Sequence, residues 1–168
     1  CLATSGPGAT NLVTGIATAY MDSIPVVAIT GNVPNDLLGR DSFQEVNIAG
    51  ITMPITKHNF IVQNVEDLAY VVRKAFVIAN SGRKGPVLID IPKDVTAALT
   101  EYVKLPRYRI RKLPKVDDAK FEEALEAIRQ AKRPMIYAGG GVISSNATRE
   151  LLKFSKHMDI PVCCSMMG

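Results

Sequence analysis

The sequence predicts an α/β protein: a doubly wound parallel sheet followed by the start of a second, Rossmann-like α/β domain. Two continuous apolar runs, residues 24–32 (IPVVAITGN) and 85–92 (GPVLIDIP), have the β-branched composition of parallel strands covered on both faces. A segment with helical spacing lies between them. After a basic segment, a helix and then a strand ending in glycines begin the same alternation again.

The first element is the apolar run 1–4, which predicts a strand entering the glycine-rich turn 5–8 (SGPG). Residues 8–23 predict a helix. Because this helix is apolar nearly all round, we expect it to be buried. Gly15 in its middle suggests that another element packs closely against it.

The next three elements complete the first domain. Residues 33–47 predict a long irregular connection at the C-terminal end of strand 24–32, where ligands bind in open α/β sheets. Residues 55–63 predict a strand. Apolar residues at helical spacing predict a helix over 65–81, and Gly82 is placed to end it.

The alternation stops at residues 98–117, which we interpret as a basic linker between a first domain at 1–97 and the start of a second at 118–168. In order, the second domain is predicted to contain a helix capped by Asp117 or Asp118, a strand running into a glycine turn over 134–142, a helix capped near Ser145 or Asn146, and the strand 160–166.

Composition restricts the class of protein. No stretch of about 20 apolar residues exists, so we expect no membrane span. Neighbouring strand residues point to opposite faces, so Cys163 and Cys164 are expected to be reduced core residues of a cytoplasmic-type protein rather than a disulfide. Residues 101–115 hold six basic residues against Glu101, but they lack a nucleic-acid recognition motif, so we expect no nucleic-acid partner.

Residue types alone leave the candidate ligand sites open. The turn 5–8 can hold an anion such as phosphate, or be only a tight strand–helix turn. Glycines 139–141 can admit a cofactor's pyrophosphate or adenine, or simply make a tight turn. Arg83 and Lys84 can clamp phosphate or decorate a turn. His58 and His157 are expected to be structural, since neither has a partner at ligand spacing.

Four segments carry a resemblance to a known family. Residues 4–34 (TSGPGATNLVTGIATAYMDSIPVVAITGNVP), 41–45 (DSFQE), 55–60 (ITKHNF) and 81–95 (SGRKGPVLIDIPKDV) resemble the acetolactate synthase (acetohydroxyacid synthase) large-subunit family of thiamine-diphosphate-dependent enzymes. The resemblance covers essentially the whole chain. It implies that residues 1–97 belong to a pyrimidine-binding domain and that residues 118–168 begin a central, FAD-binding-type domain.

The resemblance also implies site residues. Those expected to contact the aminopyrimidine ring of thiamine diphosphate are Thr4, Pro7, Asn11 and Gln44, the last assisting catalysis. Those expected to line the substrate channel are Pro34, Phe43, Lys57 and Lys93. Those expected to contact FAD, whose role in the family is structural, are Arg83, Gly139, Gly140 and Gly141. The family's catalytic glutamate is expected upstream of residue 1, and its Mg²⁺ ligands in a third domain, so we expect no metal ligand here.

The implied reaction is the condensation of two pyruvates, or of pyruvate with 2-oxobutanoate, with loss of CO₂, in branched-chain amino-acid biosynthesis. The chain is expected to be an internal fragment that is inactive alone. Its expected partners are 2-keto acids, further copies in a dimer-based oligomer and a regulatory small subunit; its expected location is the cytoplasm, or an organelle in a eukaryote. Two alternatives stay open: another thiamine-diphosphate enzyme (glyoxylate carboligase, 2-keto acid decarboxylase or oxidase), or a non-catalytic nucleotide-binding or self-associating module.

Overall fold

The computed structural model describes residues 1–106 and 115–168. The chain divides into two compact units, Cys1–Arg111 and Lys112–Gly168, and this division falls within the predicted linker at 98–117. Part of the predicted basic segment lies outside the described residues: Arg107, Arg109, Arg111 and Lys112.

A four-stranded parallel sheet forms the centre of the first unit, in the order β1-β2-β4-β3. Its strands are β1 (Leu2–Ala3), β2 (Val27–Asn32), β3 (His58–Ile61) and β4 (Val87–Pro92). β4 pairs with β2 from Val27 opposite Val87 to Asn32 opposite Pro92. All of β4 is buried, as expected for a central parallel strand.

Helices cover both faces of this sheet. They are α1 (Pro7–Thr10), α2 (Val13–Met21), α3 (Ile48–Thr52), α4 (Val65–Asn80) and α5 (Lys93–Ala97), with single 3-10 turns at Asn35–Leu37 and Met53–Ile55. Because successive strand residues point to opposite faces, β4 contributes to two apolar clusters. Val87 and Ile89 pack in one cluster with Ala75 of α4, whereas Leu88 packs in the other with Ile16 of α2. This is the doubly wound arrangement that the sequence predicts.

The prediction of one buried helix over residues 8–23 is wrong. The segment forms α1 and α2, which are separate helices, and only Ile16 and Ala19 of α2 are buried. A Cβ built on Gly15 meets nothing within 4 Å, so no element packs closely there. Small uncharged residues make the sequence of a helix look apolar, but they do not require the helix to be buried. One side of α2 carries such residues and is exposed.

The second unit contains a two-stranded parallel sheet and three helices. They are α6 (Asp118–Gln130), β5 (Ile136–Ala138), α7 (Gly140–Ser144), α8 (Thr148–Met158) and β6 (Val162–Cys164), with β5 paired to β6. The Asp117 side chain accepts a hydrogen bond from the backbone N–H of Ala119 at 3.1 Å, so the predicted cap of α6 is confirmed.

Two predictions for the second unit are wrong. Ser145 ends α7, and α8 begins after Ala147 with no side-chain cap, because the unpredicted α7 occupies the residues before it. Cys163 is half-buried and Cys164 is exposed, so the latter is not a core residue. Both are free thiols, as expected.

Candidate functional site

The candidate site lies at the edge of the first sheet where the parallel strands end. The turn after β1, the connection after β2 and the start of α5 after β4 all meet at this edge. Gly31 of β2 lies directly under the turn, since a Cβ built on it would be 3.6 Å from the Ser5 nitrogen. Backbone from several loops therefore converges in one place.

Gly6 brings the turn and the connection together. Its φ is +57°, and a Cβ at this position would lie 2.8 Å from the Gln44 carbonyl oxygen. Real Cβ atoms do not approach an oxygen so closely, so only glycine fits. The missing side chain lets the Gln44 backbone rest directly on the turn.

Three of the predicted thiamine-contact residues lie at or beside this contact: Thr4, Pro7 and Gln44. The Thr4 methyl group lies 2.6 Å from the position of a Cβ built on Gly8, so Thr4 packs over the start of α1. Pro7 begins α1, and its carbonyl accepts a hydrogen bond from the Asn11 N–H at 3.1 Å. Thr4, Pro7, Asn11 and Gln44 are all exposed to solvent.

The connection carrying Gln44 has an unusual backbone. Gly39, Asp41 and Gln44 have φ values of +79°, +54° and +60°. The left-handed region is unfavourable for residues other than glycine, so contacts must hold Asp41 and Gln44 there. Glu45 supplies them: its carboxylate accepts hydrogen bonds from the backbone N–H of Ser42 at 2.9 Å and from that of Gly39. The same bonds hold the pKa of Glu45 below its ordinary value.

A second carboxylate ties the loops after β2, β3 and β4 together. Asp94 accepts hydrogen bonds from the Asn35 backbone N–H at 3.2 Å and from its side-chain amide at 3.0 Å. The same amide donates to the Gln63 carbonyl at 3.1 Å. Loss of solvent would raise the pKa of Asp94, but the hydrogen bonds from Asn35 and from the backbone N–H groups of Asp94 and Val95 together outweigh it, and the pKa lies below its ordinary value. Lys93, beside Asp94, is thereby held near Pro34, beside Asn35.

A third carboxylate lies inside the sheet. Asp90 of β4 is only 1% exposed, and it accepts hydrogen bonds from Thr30 Oγ1 at 2.7 Å and Asn32 Nδ2 at 2.6 Å. Burial raises the pKa of Asp90, and the hydrogen bonds from Thr30 and Asn32 offset part of the shift. Asn32 in turn accepts from the Val33 N–H at 2.9 Å, so the network reaches the start of the connection.

None of these three carboxylates was predicted as a site residue. For Asp90 a signal exists, because a charged residue within an otherwise apolar buried strand requires partners. Glu45 and Asp94 each follow a predicted site residue, but nothing local marks their hydrogen bonds. Those bonds depend on how irregular backbone returns to the side chain.

The predicted substrate-channel residues do not all come together. Pro34 and Phe43 lie in the connection after β2, and Lys93 begins α5 at the same edge; Phe43 is 88% exposed. Lys57 precedes β3 and therefore lies at the opposite edge, roughly 20 Å away along the six residues of β4. Its ammonium group donates to the carbonyls of Ile78 and Ser81 at the end of α4. Sequence order already signals this, since Lys57 comes before a strand and Lys93 after one.

Arg83 also lies at that opposite edge, before β4. Its Nε donates to Ser23 Oγ at 2.8 Å and its Nη2 to the Met21 carbonyl at 3.3 Å, and the guanidinium lies 5.9 Å from the centre of the Tyr20 ring. Arginine has five N–H donors, so this exposed side chain keeps others for a ligand.

The glycine run of the second unit has open backbone at two positions. A Cβ on Gly141 would meet nothing within 4 Å, and one on Gly139 would meet only Ser165 Oγ, at 3.7 Å. A Cβ on Gly140 would lie 2.9 Å from the Met167 carbonyl oxygen. Gly140 is thus needed for packing within the unit, whereas Gly139 and Gly141 leave room for a ligand to approach.

The described parts of the chain contain neither a metal-type cluster of side chains nor a membrane-spanning helix. Within residues 1–106 and 115–168, no three His, Cys, Asp or Glu side chains are grouped as a metal site. No helix in these ranges is both long and apolar enough to cross a membrane.

Comparison with known families matches both units. Residues 1–51 match the thiamine pyrophosphate enzyme N-terminal TPP binding domain, and residues 121–168 match the thiamine pyrophosphate enzyme central domain. The chain belongs to the thiamine pyrophosphate enzymes. The N-terminal match includes all four predicted thiamine contacts: Thr4, Pro7, Asn11 and Gln44.

Individual thiamine pyrophosphate enzymes are similar over the whole chain. It is 49% identical to acetolactate synthase of Arthrospira platensis, over all of the chain and 30% of that protein. It is 51% identical to the acetolactate synthase large subunit of Corynebacterium glutamicum, over all of the chain and 27% of that subunit. A probable acetolactate synthase large subunit of Methanocaldococcus jannaschii is 49% identical, with 29% of its length covered. The chain thus spans less than a third of the length of these relatives.

Proposed function

We propose that this chain forms the aminopyrimidine side of a thiamine diphosphate site in an acetolactate synthase. The contact between Gly6 and Gln44 carries the proposal, because it joins two distant segments into one wall that exposes Thr4, Pro7 and Gln44. The identity of 49–51% to acetolactate synthases supports the choice of enzyme.

The exposed groups fit an aminopyrimidine ring. Such a ring needs donors and acceptors at fixed positions and an apolar surface on which to lie. The Thr4 hydroxyl and the Asn11 and Gln44 amides provide the polar groups, and Pro7 provides the apolar surface. When bound, thiamine diphosphate supplies the nucleophile for decarboxylation and condensation, and the chain's residues hold and orient its ring.

The substrates in this proposal are 2-keto acids: two pyruvates, or pyruvate with 2-oxobutanoate. Lys93 is exposed at the same edge as Pro34 and Phe43, and its ammonium group can attract the substrate carboxylate. In this proposal the substrate passes Pro34, Phe43 and Lys93 on its way to the cofactor. Lys57 is not included, because its ammonium group is engaged at the other edge of the sheet.

Ligand titration followed by amide NMR tests the wall directly. We expect thiamine diphosphate to shift the backbone amides of Thr4, Gly6, Asn11 and Gln44, and pyrophosphate, which lacks the ring, to leave them in place. Gln44→Ala should weaken the shifts, whereas Gln63→Ala, an exposed glutamine on another loop of the same edge, should not. Equal shifts with both ligands, or none with either, would refute the assignment.

An activity assay separates the wall from a complete catalytic site. The family resemblance assigns the catalytic glutamate and the Mg²⁺ ligands to residues outside this sequence. We therefore expect the 168-residue chain to make no acetolactate from pyruvate with thiamine diphosphate, Mg²⁺ and FAD. Acetolactate formation by the purified chain would overturn this part of the proposal.

FAD is the second proposed cofactor. In the second unit, the open backbone at Gly139 and Gly141 leaves room for a nucleotide to approach. In the first unit, considered by itself, the spare N–H donors of Arg83 fit a phosphate group. We expect the chain to quench FAD fluorescence, Arg83→Met to weaken binding and Lys84→Met to leave it unchanged. Identical affinity in the two variants would remove Arg83 from the site.

A further inference from the structure

The connection between β2 and α3 has a local device that controls where Gln44 lies. Its last part, residues 39–45, contains the three left-handed residues Gly39, Asp41 and Gln44. Without a restraint, Asp41 and Gln44 would leave the left-handed backbone region, because only glycine adopts it without an energetic penalty. The observed path therefore needs a specific restraint.

Glu45 is that restraint. One carboxylate oxygen accepts from the Gly39 N–H and the other from the Ser42 N–H, so a single side chain closes both halves of the segment. The Glu45 N–H donates to the Ser42 carbonyl at 2.9 Å and Ser42 Oγ donates to the Leu37 carbonyl at 3.2 Å. Ionised carboxylates form the stronger class of hydrogen bond to backbone N–H groups.

The residues next to Glu45 explain how this restraint determines the position of Gln44. Gln44 directly precedes Glu45, and Ile48, which is fully buried, anchors the following helix. The Glu45 carboxylate holds the start of the segment and the buried Ile48 holds the chain after it. The Gln44 carbonyl therefore stays against Gly6. Release of the Glu45 carboxylate would free Asp41 and Gln44 to return to ordinary backbone conformations.

We propose that Glu45 is a positioning residue whose carboxylate latches residues 39–45 so that Gln44 stays against Gly6. This inference rests on the proposed function for its purpose, the fixed position of the Gln44 amide at the cofactor wall. The latch itself is a property of the chain without ligand. It can therefore be tested apart from cofactor binding.

Limited proteolysis with trypsin provides the test, because Arg40 is exposed inside the latched segment. The variants are Glu45→Ala, Glu45→Gln and, as the matched control, Glu122→Ala on the exposed side of α6. Mass spectrometry follows cleavage after Arg40, with cleavage after Arg73 of α4, in the same unit, as the reference for unfolding of that unit. Amide NMR of Gly6 and Gln44 follows their contact.

We expect Glu45→Ala to raise the Arg40 cleavage rate roughly tenfold while the Arg73 rate stays unchanged. Glu45→Gln keeps one acceptor oxygen and should rescue part of the protection. The Gly6 and Gln44 amides should shift in Glu45→Ala and stay in place in Glu122→Ala. If both Glu45 variants are cleaved after Arg40 at the wild-type rate, the latch is refuted.

Cofactor binding then separates the two proposals. The positioning role is supported if thiamine diphosphate shifts the amides of the wall in the wild-type chain and shifts the same amides less in Glu45→Ala. If it shifts neither, the proposed function fails, and the Arg40 rates still decide whether Glu45 latches the segment. If it shifts both chains equally, Glu45 does not position Gln44 for the cofactor.

Discussion

At the scale of single residues, Gly6 is a position where one added carbon would disturb the candidate site. Its φ of +57° disfavours any Cβ, and that Cβ would also meet the Gln44 carbonyl. We expect Gly6→Ala to lower the free energy of unfolding by at least about 1–2 kcal/mol, the usual cost of left-handed backbone in alanine. Urea unfolding measures this change.

Gly15 provides the matched control within the same unit. It lies in α2 with nothing within 4 Å of a built Cβ, so alanine meets no obstacle. Alanine has the higher helix propensity, so Gly15→Ala should raise the free energy of unfolding by roughly 0.5–1 kcal/mol. A loss of stability in Gly15→Ala would contradict the open space around a Cβ at position 15.

At the scale of elements, the pairing of β2 with β4 contains a pH-sensitive contact. The pKa of Asp90 is raised in the folded chain, so the folded state holds this proton more tightly than the unfolded state. The charged carboxylate therefore costs stability at neutral pH. That cost disappears as pH falls through the raised pKa toward the ordinary value of about 3.9.

Comparison with Asp90→Asn isolates this effect from the other carboxylates. We expect the stability of the wild-type chain relative to Asp90→Asn to improve as pH falls from 7 toward that window. Urea unfolding of both proteins at several pH values gives the difference. A relative stability that improves as pH rises would show that Asp90 has a lowered pKa instead.

The C-terminal end of α4 depends on a side chain from another element. Lys57 places its positive charge on the carbonyls of Ile78 and Ser81, where the helix dipole favours cations. We expect Lys57→Met to cost about 1 kcal/mol of stability, because two carbonyls lose a charged donor. Lys84→Met is the control for loss of a positive charge at the same edge of the sheet.

The same Lys57→Met variant tests its assignment in the site. Thiamine diphosphate should shift the amides of Thr4 and Gln44 as it does in the wild-type chain, because Lys57 lies at the opposite edge. Altered shifts at those amides would mean that this lysine influences the wall.

At the scale of the whole molecule, exposed apolar side chains favour association of copies. Among the described residues, Leu2, Met21 and Phe43 are each more than 70% exposed. Large exposed apolar surface commonly marks an interaction site. We expect sedimentation velocity to detect oligomers whose proportion rises with protein concentration; a single monomeric species throughout would contradict this expectation.

Much of the first unit could be predicted because its signals are local. The apolar run before Asn32 and the run ending at Pro92 became β2 and β4, and helical spacing predicted α4 to within one residue at its end. The glycine at position 82, with φ +55°, follows that helix as expected. Such patterns survive because a strand or helix repeats one backbone conformation.

The candidate site was predictable only in part. The family resemblance predicted thiamine contacts at Thr4, Pro7, Asn11 and Gln44, and these stay predictions. The same resemblance placed Lys57 in the substrate channel, although Lys57 lies at the opposite edge of the sheet. Cys164 and α2 were expected in the core for their composition, although composition does not say which side a neighbour covers.

By itself, the sequence determined the alternation of strands and helices, the parallel sheet and the family to which the chain belongs. Only the tertiary structure decided that the Gln44 backbone rests on Gly6 and that the Glu45 carboxylate closes the segment before it. The physical reason is that residues 33–47 are largely irregular and have no period to read. Their path is set by contacts with backbone that is distant in sequence, and these exist only once the sheet has brought its loops to one edge.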